Sequence, residues 1–225
     1  MSTDALSVIP AGTLPFPPSQ PPLHIAAGHT LLLDETALLR CASFVVQAGL
    51  LRVAVSEPGE IAPGSCAPWD LGPERVVTLG FLCGGDHLPL DLLRRARLHL
   101  EALTPVVLVA AAAGVPPAGA ASLNDWTVAL LLVRHLDDAE QRLLALLQLL
   151  AERLGRRCGA WVDLPLRLTH ERIAGLIGHT RVTVTRLLSK WRQAGLIGVE
   201  ASAEGGLRLS PTLLALRPAA GRSAV

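Results

Sequence analysis

Apolar positions along the chain keep two different rhythms, and the change falls near residue 121. From His24 to about Ala113 they come as short runs broken by turn-forming residues: Thr30–Leu33, Ser43–Gln47, Leu50–Val55, Val76–Cys83, Leu98–Leu100 and Val106–Val109. Short runs with turns between them predict antiparallel β-structure, a barrel or jelly roll. Ala110 to Ala121, rich in Pro, Gly and Ala, reads as a connector, and beyond it apolar residues recur every three or four positions, the helical period.

Ser122 followed by Asp125 has the form of a capping box and predicts a helix through Trp126, Leu130, Leu131 and Val133 to about Leu136. At ~1.5 Å per residue such a helix spans only ~22 Å. Its face of Trp126, Leu130 and Val133 needs a cover, and a second copy of the chain is the expected one. Asp137 with Glu140 repeats the capping device before a helix from about Asp138 to Leu154. There Leu143, Leu144, Leu146, Leu147, Leu149 and Leu150 spread too widely for one neighbour, so burial on two sides is expected, with Gly155 as the stop.

The stretch from Leu168 to Gly195, LTHERIAGLIGHTRVTVTRLLSKWRQAG, divides into a short helix, a glycine turn and a longer helix. Thr169 is placed to cap the first helix, Ile173, Leu176 and Ile177 form its inner face, and Gly178 supplies the tight turn between crossing helices. Thr180 caps the second, in which Val184, Leu187, Leu188 and Trp191 recur at three- and four-residue spacing and face the core. The opposite side then presents Arg181, Val182, Thr185, Arg186 and Ser189, with Thr183 at its flank. Two arginines beside small residues allow close groove approach, and arginine bonds guanine O6 and N7 together. Thr180, Thr183 and the free amides of the helix start suit phosphate. With Thr169 and Lys190 these residues form the expected DNA-contacting set. Leu196–Glu200 and Leu207–Leu209, flanking Glu204-Gly205-Gly206, predict a small hairpin, a wing. An ordinary helical hairpin with solvated arginines is the competing structural account of the two helices.

Charge sharpens this picture. Residues 163–225 carry nine Lys or Arg against four Asp or Glu, a balance of +5, whereas residues 1–162 carry eleven against fifteen, a balance of −4. One end of the chain is thus suited to phosphate. Half of the 225 residues are hydrophobic, yet the uncharged stretch Ala102–Leu123 is broken by Pro105, Pro116 and Pro117 and makes no membrane span. Met1–Gln20 lacks a basic start and is interrupted by prolines, so a loose proline-rich arm and a cytoplasmic location are expected. Cys41, Cys66, Cys83 and Cys158 show no metal-ligand spacing and read as buried free thiols.

At the residues of the two helices the chain resembles the Crp/Fnr superfamily of bacterial regulators. Thr180 to Leu188, TRVTVTRLL, is similar to the recognition helix of that family's nitrogen-control branch. Val45 to Val53, VVQAGLLRV, resembles its strand-Gly-strand signature, and Leu82-Cys83-Gly84-Gly85-Asp86 the turn before its effector pocket. The resemblance covers about Leu31 to Leu209. It implies an α+β fold: an N-terminal antiparallel β-barrel or jelly roll of the cyclic-nucleotide-binding kind, a dimerisation helix and a C-terminal winged helix-turn-helix. Expected divisions are an arm over 1–23, the barrel over 24–121, the dimerisation helix over 122–136 and the DNA-binding part over 137–225. The implied function is transcription regulation, not enzymatic catalysis. The implied partners are double-stranded DNA, a second copy of the chain and RNA polymerase. Arg181 and Arg186 stand at the base-reading positions. Val182 stands where catabolite-activator-like members carry a glutamate; nitrogen-control members have valine there and recognise GTA and TAC half-sites, which implies a related palindrome.

The sensor end departs from the family pattern. Leu90 occupies the position of the ribose-binding glutamate, and no Arg-Ser or Arg-Thr pair follows, so cyclic AMP is not the expected effector. Arg94, Arg95 and Arg97 either face an anion such as a carboxylate metabolite or are solvated surface charges. No cofactor or metal is assigned. The alternatives are a haem- or redox-sensing regulator on the same fold, a metal-binding cupin-like protein using His24, His29, His87 and His99, or a winged helix that has lost DNA affinity.

Overall fold

The computed structural model describes residues 21–33, 43–56, 76–90, 97–111, 123–199 and 206–216. Arg94, Arg95, Cys41, Cys66, the Ser122 cap, most of the proline-rich arm and connector, and the Glu204-Gly205 tip of the wing lie outside them.

Among the described residues, eight strands build the N-terminal half: β1 (Leu23–Ile25), β2 (Thr30–Leu33), β3 (Ser43–Ala48), β4 (Leu50–Ser56), β5 (Val77–Cys83), β6 (His87–Pro89), β7 (Arg97–Ala102) and β8 (Val106–Ala111). They form two antiparallel four-stranded sheets, ordered β1-β8-β3-β6 and β2-β7-β4-β5. Val46, Leu88 and Leu108 of one sheet and Leu51, Val53, Leu98 and Leu100 of the other are fully buried. The jelly-roll expectation holds, and the six expected runs are strands. β1 and β6 were not foreseen; at three residues each they are too short to show a period. Gly49 joins β3 to β4 at φ 90°, with the Pro105 carbonyl where a side chain would sit, so neither the dihedral nor the space admits another residue.

Sheet β2-β7-β4-β5 is covered along its edge strand β5. Helix α1 (Leu123–Arg134) lies along β5, and a Cβ on Gly80 would collide with Trp126. The Trp126 ring meets Phe81 edge-on, with centroids 5.4 Å apart, and the Arg153 guanidinium lies 4.6 Å above it. Thr127 Oγ1 donates to the Leu79 carbonyl at 3.1 Å, pinning helix to strand. Leu123, Trp126, Leu130 and Val133 are therefore interior residues of this chain. Trp126, Leu130 and Val133 were expected to face a second copy, and that expectation is corrected. α1 is apolar nearly all round, and β5 and the next helix claim the stripe holding the tryptophan. What remains outside is Val128, Leu131 and Leu132, exposed by 56%, 51% and 66%.

Helix α2 (Ala139–Leu154) buries Leu143, Leu144, Leu146, Leu147 and Leu150, against α1 on one side and the following helices on the other. Its cap is Asp138, which accepts from the Gln141 amide at 2.8 Å, not Asp137; Glu140 points elsewhere. Gly155 does end the helix, in an extended conformation with φ −66°. Glycine is needed there because a Cβ would strike the Ala151 carbonyl and Val162. β9 (Arg156–Cys158) and β10 (Trp161–Asp163) follow, then α3 (His170–Ile177), α4 (Arg181–Gln193), β11 (Ile197–Val199), β12 (Leu207–Leu209) and the short α5 (Pro211–Ala215). The expected wing strands β11 and β12 pair antiparallel, extended by β10 and β9 into a sheet ordered β11-β12-β10-β9. Arg208 of β12 donates to Asp163 of β10 at 2.7 Å across it.

Two arginines anchor α3 by its exposed end carbonyls. Arg134 donates to Leu176 O at 3.0 Å and to Gly175 O, and Arg142 donates to Ile177 O at 3.3 Å. At the start of α3, Arg172 pairs with Glu101 of β7, which also accepts from Arg52 at 2.9 Å. Among the described residues, no helix is long and apolar enough to cross a membrane.

Candidate nucleic-acid interface

Local sequence sets the two crossing helices. Thr169, extended at ψ 153°, accepts from the Arg172 amide at 3.2 Å and starts α3. Gly178 ends it in the left-handed region, φ 70° and ψ 38°, where a side chain would be strained. Thr180 then accepts from the Thr183 amide at 3.3 Å and starts α4. Ile173, Leu176 and Ile177 of α3 and Val184, Leu187, Leu188 and Trp191 of α4 are all buried. Because that face is committed, the opposite one is held outward and rigid.

On it Arg181, Val182, Thr185 and Arg186 are exposed, Val182 by 77%, while Thr183 and Ser189 are half-buried at the flanks. Thr169 and Thr180 are exposed too, one at the start of each helix. Their hydroxyls serve as caps, and Thr180 Oγ1 lies 3.0 Å from Thr183 Oγ1. The Thr185 hydroxyl donates to the Arg181 carbonyl at 2.9 Å, and His170 Nδ1 sits 2.8 Å from the same hydroxyl oxygen. His170 borders this face unforeseen, since nothing in its sequence spacing brings it beside Thr185. Lys190 is exposed, and its ammonium pairs with a carboxylate of this chain. Its Nζ lies 2.9 and 3.0 Å from the two Glu140 carboxylate oxygens, and Trp191 Nε1 donates to the same group at 3.1 Å. The Lys190 hydrogen bond, seconded by that of Trp191, holds the Glu140 carboxyl below its ordinary range against the effect of burial. Lys190 thus ties α4 to α2.

At the sensor end, Arg97 is exposed at the first position of β7, opposite Ser56. Leu90 is buried in the apolar core. Asp86, also buried, accepts from the Cys83 amide at 2.7 Å and closes the turn between β5 and β6. Burial, then the Asp86 charge, pushes the Cys83 thiol up to about 11. Among the described residues, no three His, Cys, Asp or Glu side chains converge as metal ligands would.

Residues 141–209 match the Crp-like helix-turn-helix domain family. The regulatory protein CysR of Synechococcus elongatus is 32% identical over 197 residues, 84% of this chain and 87% of CysR. The chain belongs to the Crp/Fnr family of transcriptional regulators. The global nitrogen regulator of Nostoc sp. is 40% identical over 62 residues, 28% of each chain, which agrees with the nitrogen-control character of α4. The crystal structure of TTHA1359, a CRP/FNR-family regulator from Thermus thermophilus, superposes with a TM-score of 0.58 at 20% identity, covering 86% of this chain and 96% of that one. This Crp/Fnr regulator therefore has an N-terminal β-roll and binds DNA through its C-terminal helix-turn-helix.

Proposed function

We propose that this regulator acts in the cytoplasm as a homodimer that reads a palindrome with GTA- and TAC-like half-sites through α4. The rigid outward ridge of Arg181, Val182, Thr185 and Arg186 carries this reading. Arg186 supplies a guanine contact through O6 and N7, and the bare Val182 side chain suits the methyl of a neighbouring thymine. Arg181, a turn before Thr185 and nearer α3, joins the base contacts at its edge. Exposed Thr169 and Thr180, with half-buried Thr183 beside them, would meet the backbone of the duplex and position the helix without choosing sequence.

Dimerisation is assigned to Val128, Leu131 and Leu132, which recur at three- and four-residue spacing on the open side of α1. A two-fold contact there would set two copies of α4 on successive major grooves, about 34 Å apart. Cyclic AMP is not the effector on this reading, because the position of the ribose-binding glutamate carries Leu90, whose side chain belongs to the core. RNA polymerase is the downstream partner expected of a regulator that activates.

Fluorescence anisotropy with a GTA/TAC palindrome against a scrambled duplex tests the proposal. Arg186→Ala is expected to cost about 1 to 3 kcal/mol on the palindrome and to relax base choice at its contact. Equal affinity of the wild-type protein for palindrome and scrambled DNA would refute the assignment.

A further inference from the structure

His170, the first residue of α3, is half-buried against α4 and has no part in the reading above. Its ring lies beside the row formed by Arg181, Thr185 and Arg192, spaced by four and seven residues on the side of α4 that meets DNA. The tautomer follows from the hydrogen bonds. Because the Thr185 hydroxyl gives its proton to the Arg181 carbonyl at 2.9 Å, it accepts from His170 across their 2.8 Å contact. His170 thus carries its hydrogen on Nδ1, and Nε2 is the nitrogen left to take up a proton.

We propose that His170 is a phosphate contact that gains a proton at Nε2 when DNA binds, so that duplex affinity is coupled to pH. This rests on α4 being the DNA-reading helix. In the free protein the imidazolium is disfavoured: burial first, then the charges of Arg192 and Arg181, hold the ring below its ordinary 6.5. Several of the charged groups on elements packed against α3 are engaged away from the ring, while Arg186 lies on the exposed face of α4. Arg134 and Arg142 bond its far end, Glu101 is taken by Arg52 and Arg172, and Glu140 by Lys190. A phosphate beside the row reverses the balance, since it neutralises the arginines and offers an acceptor to Nε2–H. The proton comes from solvent and no other bond changes. The complex then binds more protons than the free protein, so affinity rises as pH falls. It levels off below the free-protein value and above that of the complex. The slope reaches at most about tenfold per pH unit for each half-site.

Full-length protein titrated with the palindromic and scrambled duplexes from about pH 5 to about pH 8 tests this. Wild-type affinity for the palindrome should fall with rising pH. His170→Gln keeps a donor for Thr185 but does not titrate, and should bind weakly with a flat profile. His170→Arg, charged throughout, should bind at the wild-type low-pH level, also flat. A flat wild-type profile with discrimination intact overturns the proposal, as does a slope that persists in His170→Gln. Loss of discrimination at every pH is a separate result, which overturns the DNA reading of α4 and this contact with it.

Discussion

Replacing Trp126 by alanine distinguishes an interior residue from a dimer contact. The side chain is 1% exposed, lies edge-on to Phe81 at 5.4 Å and carries Arg153 4.6 Å above its ring. Truncating a buried aromatic to alanine costs about 3 to 5 kcal/mol, through lost transfer energy and the cavity left between β5 and α2. The Phe81 contact, about 0.5 to 1.5 kcal/mol, falls within that loss. Since a domain of this kind is stable by about 5 to 15 kcal/mol, the change should be large in urea unfolding followed by circular dichroism. Leu132→Asp provides the contrast. At 66% exposure it should shift intrinsic stability by no more than about 0.5 kcal/mol, yet abolish self-association in sedimentation velocity. Matched protein concentrations are needed, because dimerisation itself raises apparent stability. The burial argument is refuted if Trp126→Ala costs under about 1 kcal/mol while dissociating the dimer, and Leu132→Asp self-associates normally.

Two further outcomes follow from the same structure. With its pKa pushed up to about 11, Cys83 is almost wholly protonated at pH 8, so iodoacetamide should label the exposed Cys158 far faster, as read by peptide mass spectrometry; equal labelling of folded protein would contradict the half-buried placement of Cys83 beside Asp86. Arg172→Ala, which removes the tie between α3 and Glu101, should cost on the order of 1 kcal/mol because its side chain is partly solvated. That loss should appear as faster amide exchange in His170–Ala174 with β4 and β7 unchanged, and unaltered exchange in α3 would mean that the pair contributes nothing.

The helix-turn-helix was legible because its determinants are local. Thr169, Gly178 and Thr180 each satisfy or strain backbone within four residues of themselves, and Ile173, Leu176, Val184 and Leu188 mark one face by spacing alone. Strands β2 to β5 were legible for a similar reason, being runs of four to seven residues between turns. β9 and β10 were not: unlike β11 and β12, which the Glu204-Gly205-Gly206 turn marked as a hairpin, they gain their identity from the partner they pair with. Asp138 displaced Asp137 as a cap by a single residue, a choice made by where the chain enters α2.

Periodicity, capping chemistry and glycine positions were thus enough for the kind of fold and for the outward face of α4, because those forces act between near neighbours in the chain. Which side of α1 is interior depended on contacts far apart in sequence. Gly80 leaves room for Trp126, Phe81 meets its edge and Arg153 its face, and no spacing rule within an all-round apolar helix contains that information. The same holds for His170 beside Thr185, Lys190 on Glu140, and Glu101 between Arg52 and Arg172. A polar side chain's partner is set by the crossing of whole elements, which only the packed chain decides.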